Sequence, residues 1–334
     1  MVIVESYPIA VLMCLITMMC WGSWANTQKL ASRKWPFQLY YWDYSLGVLL
    51  LSLVLAFTAG SFGNAGRGFL ADLSQASGEA LWSAFLGGVI FNLSNILLVA
   101  AIDIAGMAVA FPVGVGLALV LGVITTYLAK PEGNPLLLFL GVASVVVAIL
   151  VDAMAYRRLS SGTQKAIGKG ILISVVAGVL MGFFYRFVVA AMATSFANPE
   201  PGKLTPYTAV AVFSLGLLLS SFLWNTLVMV KPFKGDPVPF GDYFAKGDFK
   251  LHLIGVLGGV IWNIGMSFSI IASGAAGPAI SYGLGQGATM VAACWGVFIW
   301  KEFKEAPAGT SRWLTAMFAS FVIGLSLIIA ARIV

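Results

Sequence analysis

The chain consists of long apolar runs separated by shorter polar segments. Each run is about 20 residues long, which is the length that an α-helix needs to cross roughly 30 Å of hydrocarbon. Strands of a membrane β-barrel would alternate apolar and polar positions over segments of about ten residues, and these runs do not alternate in that way. The pattern predicts an all-α integral membrane protein with ten transmembrane helices. We expect these helices at residues 8–28, 40–60, 81–102, 107–128, 135–155, 170–194, 206–229, 251–272, 278–300 and 312–331.

Two of the apolar runs share a motif. Residues 85–95 read FLGGVIFNLSN, and residues 256–266 read VLGGVIWNIGM. The match continues without gaps when 86–130 is aligned with 257–301. Identical pairs in this alignment include Leu86/Leu257, Gly87/Gly258, Asn92/Asn263, Gly114/Gly285, Gly116/Gly287 and Lys130/Lys301.

A second match indicates that the whole chain is duplicated. SLGVLLLS at 45–52 resembles SLGLLLSS at 214–221, and both lie in the second predicted helix of a five-helix unit. We place the first unit at 1–160 and the second at 161–334. Five is an odd number of crossings, so the second unit enters the membrane from the opposite side, which predicts an inverted repeat. Inverted repeats are typical of alternating-access carriers, whose substrate site lies near mid-membrane where the halves meet.

Composition and charge agree with a membrane protein and add its orientation. With 60% hydrophobic and 10% charged residues, the chain has too few polar positions to cover a water-soluble surface. Most Lys and Arg residues fall in the loops after predicted helices one, three, five, seven and nine, whereas the opposite side holds Arg67, Lys130, Lys203 and Arg332. The positive-inside rule then predicts a protein of the cytoplasmic membrane with both termini outside the cytoplasm. We interpret the net charge of +6 as this topology signal and expect no nucleic-acid partner.

The sequence lacks the motifs of several kinds of enzyme. It contains no GxxxxGK[ST] phosphate-binding loop, no HExxH motif and no close cluster of His, Cys and carboxylate residues. Cys14, Cys20 and Cys294 all lie within apolar runs, so we interpret them as packing residues. We expect no enzymatic activity, no cofactor and no metal.

Arg186 is the one clearly intramembrane cation of the predicted helices. A charge at a helix centre costs about 2.5–3.5 kcal/mol, so such a residue is expected to face a cavity or a partner. Arg186 is a candidate ligand for a substrate carbonyl or carboxylate, or a partner of a carboxylate that carries protons. The alternatives are a structural ion pair and a side chain that extends to the membrane interface.

Asp43 lies one turn inside the second predicted helix, at its cytoplasmic end. It is the candidate proton-coupling group, because a carboxylate at this depth can exchange a proton with bulk water during a transport cycle. The alternative is a helix cap or an ion pair with Lys29, Arg33 or Lys34.

Amide side chains in the predicted helices are candidates for substrate contacts. Asn92 and Asn95 are spaced i and i+3 on one helical face, and Asn263 is the repeat mate of Asn92. An amide both donates and accepts hydrogen bonds, which suits a neutral polar solute. The alternative is that these residues join helices to one another. Tyr282 and Gln286, in the glycine-rich run GPAISYGLGQGATM, are further candidates.

Aromatic residues complete the predicted site. Trp21 and Trp24 are spaced i and i+3 in CWGSWANTQKL, close to Asn26, and Trp262 lies beside Asn263. Such rings stack on a planar or sugar ring, although tryptophans near helix ends also form the aromatic belt of the membrane interface. We interpret His252, at the start of the eighth predicted helix, as interfacial.

Four segments resemble the ureide permease family over nearly the whole chain. They are WGSWANTQKLASRKWP, YYWDYSLGVLL, GGVIFNLSN and GQGATMVAACWGVFIWKEFK. That family belongs to the drug/metabolite transporter superfamily, which also includes glucose/ribose and rhamnose porters. The resemblance implies ten helices in two inverted repeats. It also implies transport of allantoin and related oxo-heterocycles such as uracil, with protons.

The resemblance assigns some roles and leaves others open. Trp24 and Asp43 correspond to the tryptophan and aspartate of the family's "GTWPA" and "YLDY" stretches, and Asn95 to the asparagine of its "LGN". This chain has Ser-Trp-Ala-Asn where plant members have Thr-Trp-Pro-Ala, and it lacks their long central loop. The expected function is therefore secondary, proton-coupled import of a small neutral solute, with a ureide or nucleobase as the first hypothesis. A monosaccharide carrier and a non-transporting receptor or scaffold are the alternatives.

Overall fold

The computed structural model describes residues 1–32, 34–105, 107–158 and 164–333. Arg33, named above as a possible partner of Asp43, lies outside the described residues. Side chains are described except at 103, 107–109, 111–112 and 164–167.

The regular secondary structure of the described residues is helical, apart from one isolated β-bridge between Met192 and Leu204. The helices are α1 (Tyr7–Ser23), α2 (Ala25–Ala31), α3 (Phe37–Phe57), α4 (Phe69–Gln75), α5 (Gly78–Ala105), α6 (Met107–Ala129), α7 (Pro135–Arg157), α8 (Gln164–Ala191), α9 (Pro206–Val230), α10 (Asp242–Ala245), α11 (Phe249–Ala276), α12 (Pro278–Gly285), α13 (Ala288–Cys294) and α14 (Thr310–Ala330). A single π-helical turn, Trp295–Ile299, follows α13.

Several helix starts follow from local sequence signals. α7 begins at Pro135, and the side chain of Asn134 accepts hydrogen bonds from the backbone of the first turn. α9 likewise has Pro206 in its first turn, and Asp248 caps α11 by accepting a hydrogen bond from the Leu251 amide at 2.8 Å. These residues fix where the apolar runs become helical.

Eight segments among the described residues are long and apolar enough to cross a membrane. They are Tyr7–Ala31, Phe37–Phe57, Gly78–Ile102, Pro135–Arg157, Gly168–Ala191, Pro206–Val230, Phe249–Ala276 and Thr310–Ala330. They coincide with eight of the ten predicted helices, so the prediction of an all-α, multi-pass membrane protein is confirmed.

The fourth and ninth predicted helices differ from the other eight. In α6 the apolar part within the described residues, Val113–Ala129, is shorter than a full span. The ninth run is discontinuous, because α12 ends at Gly285 and α13 begins at Ala288. Its closely spaced glycines account for the break, since glycine is a poor helix former.

Helix packing in the two halves follows the same plan. α5 packs against α8 and α9, and α11 packs against α1 and α3. α6 contacts α8, α13 contacts α1, and α7 pairs with α14. α5 thus packs on the first two long helices after residue 160, and α11 packs on the first two long helices of the chain. The two helices that share the GGVI motif therefore have equivalent packing partners.

The second glycine of each GGVI motif permits the closest helix contacts. A Cβ atom at Gly88 would lie 2.0 Å from the Phe213 carbonyl oxygen on α9, and one at Gly259 would lie 2.0 Å from the Tyr44 carbonyl oxygen on α3. Only glycine allows the backbones to approach this closely. The motif is therefore a packing device that both halves use.

Candidate functional site

A cavity of about 460 Å³ lies between the helices of the two halves. α1, α2 and α13 form one side, and α5 and α8 form the other. The cavity reaches the surface near Lys29, whose side chain is 45% exposed, and Glu302. Its lining residues include Trp21, Trp24, Asn26, Lys29, Phe91, Asn95, Val115, Tyr156, Phe184, Trp262, Gln286, Trp300 and Glu302.

Aromatic rings form the deep end of the cavity. Trp21 and Trp262 are stacked, with ring centroids 6.1 Å apart and planes 15° apart. The Trp21 indole N–H donates to the Trp262 carbonyl at 3.2 Å, which fixes the orientation of the ring. The centroid of the Phe91 ring lies 4.5 Å from that of Trp262 and 5.0 Å from that of Phe184. These flat apolar walls suit the faces of a planar or cyclic solute.

Gln286 supplies a polar group in these apolar surroundings. It is 7% exposed, and its side-chain amide makes no hydrogen bond within the described part of the chain. It lies at the break between α12 and α13. A Cβ atom added at the neighbouring residue, Gly285, would lie 2.8 Å from the Trp21 ring. The small neighbour thus lets α1 pack against the break, while the Gln286 amide borders the cavity.

Asn95 supplies a second polar group on the opposite wall. Its Nδ2 donates to the Tyr41 hydroxyl at 3.2 Å, and that hydroxyl donates to Asn92 Oδ1 at 2.8 Å. The side-chain carbonyl oxygen of Asn95, Oδ1, has no hydrogen-bond partner among the described residues. This arrangement orients Asn95 and leaves an acceptor available to a ligand.

A network of charged and aromatic residues surrounds the cavity mouth. Lys29 Nζ lies 2.8 Å from Glu302 Oε1 and 4.2 Å from the centroid of the Trp300 ring. The Tyr156 hydroxyl donates to Glu302 Oε2 at 2.7 Å, which links α7 to the segment after α13. The Trp300 indole N–H donates to Asn26 Oδ1 at 2.7 Å. Asn26 therefore lines the cavity while it holds Trp300 in place.

Sequence reasoning singled out no role in the cavity for Lys29, Tyr156 or Glu302. Each lies near the end of a helix, where a charged or polar residue is ordinary. The sequence predicts that Lys29 and Glu302 both lie on the cytoplasmic side. It does not predict that these two charged side chains form an ion pair.

The ten predicted substrate-binding residues fall into two groups. Six line the cavity: Trp21, Trp24, Asn26, Asn95, Trp262 and Gln286. The other four lie elsewhere: Asn92, Arg186, Asn263 and Tyr282.

Asn92 and Asn263 join helices to one another. Asn92 Nδ2 donates to the Leu217 carbonyl on α9 at 3.1 Å, and Asn263 Nδ2 donates to the Val48 carbonyl on α3 at 2.8 Å. Both asparagines are fully buried. This matches the alternative that such amides bond between helices, and it explains why the residue is present in both halves.

Tyr282 and Arg186 are also placed away from the cavity. Tyr282 is buried, and its hydroxyl lies 3.3 Å from the carbonyl oxygens of Ala118 and Met181. Arg186 is exposed on α8, close to the helix end at Ala191. An exposed arginine less than two turns from a helix end is able to extend to the membrane interface, which is one of the alternatives given above.

Asp43 lies outside the cavity, in a cluster at the same end of the bundle as the mouth. It is 3% exposed. The Tyr243 hydroxyl donates to Asp43 Oδ1 at 2.5 Å, and His252 Nδ1 lies 2.8 Å from Asp43 Oδ2. Burial and then the adjacent carboxylate raise the pKa of Tyr243, so its hydroxyl stays protonated as the donor.

This cluster changes two interpretations from the sequence. The side chain next to the Asp43 carboxylate is His252, whereas Lys29 pairs with Glu302 and Lys34 lies 4.0 Å from Asp248. His252 is therefore a specific partner of a buried carboxylate and has more than a general interfacial position.

Comparison with known proteins identifies the family. The sequence matches the ureide permease family over residues 40–169 and 156–331. Ureide permease 1 of Arabidopsis thaliana is 22% identical over 394 residues, and the alignment covers 99% of each chain. Ureide permease 2 of the same plant is 22% identical over 402 residues, again covering 99% of each chain.

A shorter match and a solved structure add to this result. The probable ureide permease A3 of Vigna unguiculata is 26% identical over 172 residues, covering 49% of this chain and 45% of that protein. A crystal structure that is 16% identical matches 98% of this chain and 99% of its own with a TM-score of 0.60, which shows a shared fold. Because the family match extends over most of the sequence, this chain belongs to the ureide permease family of membrane transport proteins.

Proposed function

We propose that this protein is a carrier that moves a ureide or a related oxo-heterocycle across the cytoplasmic membrane by alternating access. The observation that carries the proposal is the unpaired Gln286 amide inside an aromatic cavity. The ring of a ureide is compact and carries both N–H donors and carbonyl acceptors. One amide side chain pairs with both kinds of group, and indole rings stack on the faces. The relatives are named as ureide permeases, which supports the same substrate class.

The dimensions of the cavity agree with such a ligand. Small-molecule sites commonly enclose about 300–1,000 Å³, and this cavity of about 460 Å³ is near the lower limit. Two of its amide side chains, Gln286 and Asn95, lie on opposite walls. A solute with hydrogen-bonding groups on two edges would therefore be held between the walls in a preferred orientation.

The transport cycle is proposed to use ten crossings arranged as two inverted five-helix repeats, 1–160 and 161–334. The matching contacts of Gly88 and Gly259 support this arrangement, because each glycine packs on the second long helix of the other half. On the topology proposed from the basic loops, both termini lie outside the cytoplasm. The cavity mouth then faces the cytoplasm, and the state described is inward-facing.

Proton coupling is proposed to involve Asp43. The carboxylate is buried, and His252 Nδ1 lies 2.8 Å from its Oδ2 atom, so a side chain able to donate or accept a hydrogen bond is beside it. The adjacent residue Tyr44 packs on Trp24, with ring centroids 5.0 Å apart, and Trp24 lines the cavity. This contact supplies a physical route by which a change at Asp43 reaches the substrate site.

A ligand-binding screen tests the proposal. Purified protein is heated with allantoin, uracil, ribose, glucose or rhamnose, and the unfolding temperature is recorded. A ligand at 100 times its Kd stabilises the native state by about 2.7 kcal/mol. We expect stabilisation by allantoin or uracil. Stabilisation by the sugars alone favours the monosaccharide alternative, and binding without any flux in vesicles favours a receptor.

A further inference from the structure

The loop between α9 and α11 exposes three aromatic rings. We call residues 238–250 the α10 segment. Within it, Phe240 is 52% exposed, and Phe244 and Phe249 are each 82% exposed. Exposed phenylalanines grouped in one short loop mark a surface that is covered in the working protein.

The α10 segment has one packed face and one open face. On the packed face, Tyr243 donates to Asp43 and stacks on Trp35, with ring centroids 5.5 Å apart. The Val238 amide donates to the Met229 carbonyl at 2.8 Å. These contacts hold the segment against the end of the bundle, next to the proposed coupling residue.

The open face continues the apolar surface of the membrane-spanning helices. Phe240 packs on Trp42 at 6.1 Å between centroids, and Trp42 packs on Phe222 of α9 at 5.1 Å. Phe222 is 63% exposed and its neighbour Leu223 is 53% exposed, as expected for side chains that face lipid. The aromatic contacts therefore extend the lipid-facing surface onto the loop.

Basic residues border the exposed rings. Lys246 and Lys250 are both exposed. The two aspartates of the segment each have a lysine nearby: Asp242 lies 2.7 Å from Lys246, and Asp248 lies 4.0 Å from Lys34. With Lys34, this surface therefore carries three lysines and two aspartates. Aromatic rings with adjacent lysines are typical of segments that lie in the headgroup region of an anionic membrane.

We infer that the α10 segment is a membrane-surface anchor, with anionic lipid as its partner. Phe244 and Phe249 enter the interfacial region of the leaflet at the cavity-mouth end, and Lys246 and Lys250 contact the anionic headgroups. The anchor holds Tyr243 on Asp43, so a change in lipid contact at the segment would alter the hydrogen bond between Tyr243 and Asp43. This inference does not depend on which solute the cavity binds.

Spin labels measure the depth of the segment directly. A nitroxide is attached to Phe244→Cys or Phe249→Cys in a background with Cys20→Ser and Cys294→Ser, since Cys14 is buried. The matched control is Asp236→Cys, an exposed position in the same loop. Vesicles contain phosphatidylcholine with phosphatidylglycerol. Collision rates with oxygen, which concentrates in lipid, and with a water-soluble nickel chelate are then compared.

The expected result is a severalfold lower nickel collision rate at 244 and 249 than at 236, together with a higher oxygen collision rate. In vesicles of phosphatidylcholine alone, or after Lys246→Gln with Lys250→Gln, the labels move toward water. Equal nickel accessibility at all three positions would overturn the anchor. A depth that is unaffected by both the lipid change and the lysine substitutions would overturn the anionic partner.

Discussion

Val115 and Gln286 line the same cavity from aligned positions of the two halves. Each lies between two glycines in its own sequence. At Val115 the helix α6 is continuous, whereas at Gln286 the chain passes from α12 to α13. One half therefore presents a methyl surface to the cavity and the other presents an amide. A lining of this kind distinguishes the two edges of an asymmetric solute.

Replacing the amide at this position is expected to weaken substrate binding. Gln286→Leu keeps a similar volume but leaves a ligand polar group unpaired in an apolar cavity, which costs about 1–3 kcal/mol. We predict a Kd for the ureide ligand that is higher by roughly tenfold or more. Isothermal titration of the purified variant measures the change.

Two control variants separate this effect from general damage. Val147→Leu is a comparable apolar change at an exposed position outside the cavity, and Arg186→Gln alters another exposed residue outside it. Both are expected to bind within about twofold of the original protein, since neither removes a proposed ligand contact. A Gln286→Leu protein that binds as tightly as these controls would show that Gln286 does not contact the substrate.

Asn92 and Asn263 are expected to differ in their effect on stability. Asn92 bonds to Tyr41 and Leu217 and also to two serines of α9, whereas Asn263 makes one bond, to Val48. Interhelical hydrogen bonds in membranes average about 0.6 kcal/mol each. Thermal unfolding should therefore show a larger loss of stability for Asn92→Leu than for Asn263→Leu. The reverse order would contradict this account of the pair.

The GGVI glycines provide a test of the helix contacts. A methyl group at Gly88 would clash with the Phe213 carbonyl, and an overpacked core contact costs roughly 1–3 kcal/mol. We expect Gly88→Ala to lower the unfolding temperature clearly. Gly78→Ala, on the same helix, has no atom within 4 Å of the added carbon and should have no such effect. Equal unfolding temperatures for the two variants would argue against close packing at Gly88.

Asp43→Asn tests the proposed coupling. The variant keeps the size of the side chain and removes its titration, so accumulation of solute against a gradient should be lost while exchange of solute across the vesicle membrane persists. Uptake driven by an imposed pH gradient measures the first property, and counterflow measures the second. Unchanged accumulation in this variant would exclude Asp43 as the coupling group. His252→Gln should impair accumulation as well, because it removes the partner of the carboxylate.

The length and apolar character of the runs were sufficient to predict most of the fold. A membrane imposes one length on every crossing helix, so eight predicted segments correspond closely to observed helices. The repeated GGVI motif contains Gly88 and Gly259, at which the helix backbones approach each other closely, because such contacts tolerate only small residues.

The side chains that face the cavity were harder to predict. Asn92 and Asn95 are one turn apart, yet only Asn95 borders the cavity, because a rotation of a few tens of degrees decides which face a residue occupies. The pairing of Asp43 with His252 depends on contacts between distant parts of the chain, which no local pattern records. Asn92 and Asn263, which occur in both halves, form hydrogen bonds between helices, whereas Val115 and Gln286, where the halves differ, line the cavity.

Counterflow in proteoliposomes tests directly whether the protein carries a ureide across a membrane. Vesicles loaded with unlabelled allantoin are diluted into radiolabelled allantoin, and label uptake is followed with and without uracil, ribose, glucose or rhamnose outside. A ureide carrier should show rapid, saturable uptake that allantoin analogues and uracil inhibit and that the sugars leave unchanged. Gln286→Leu should reduce this uptake. Absence of label uptake, or inhibition by the sugars in place of uracil, would contradict the proposal of a ureide carrier.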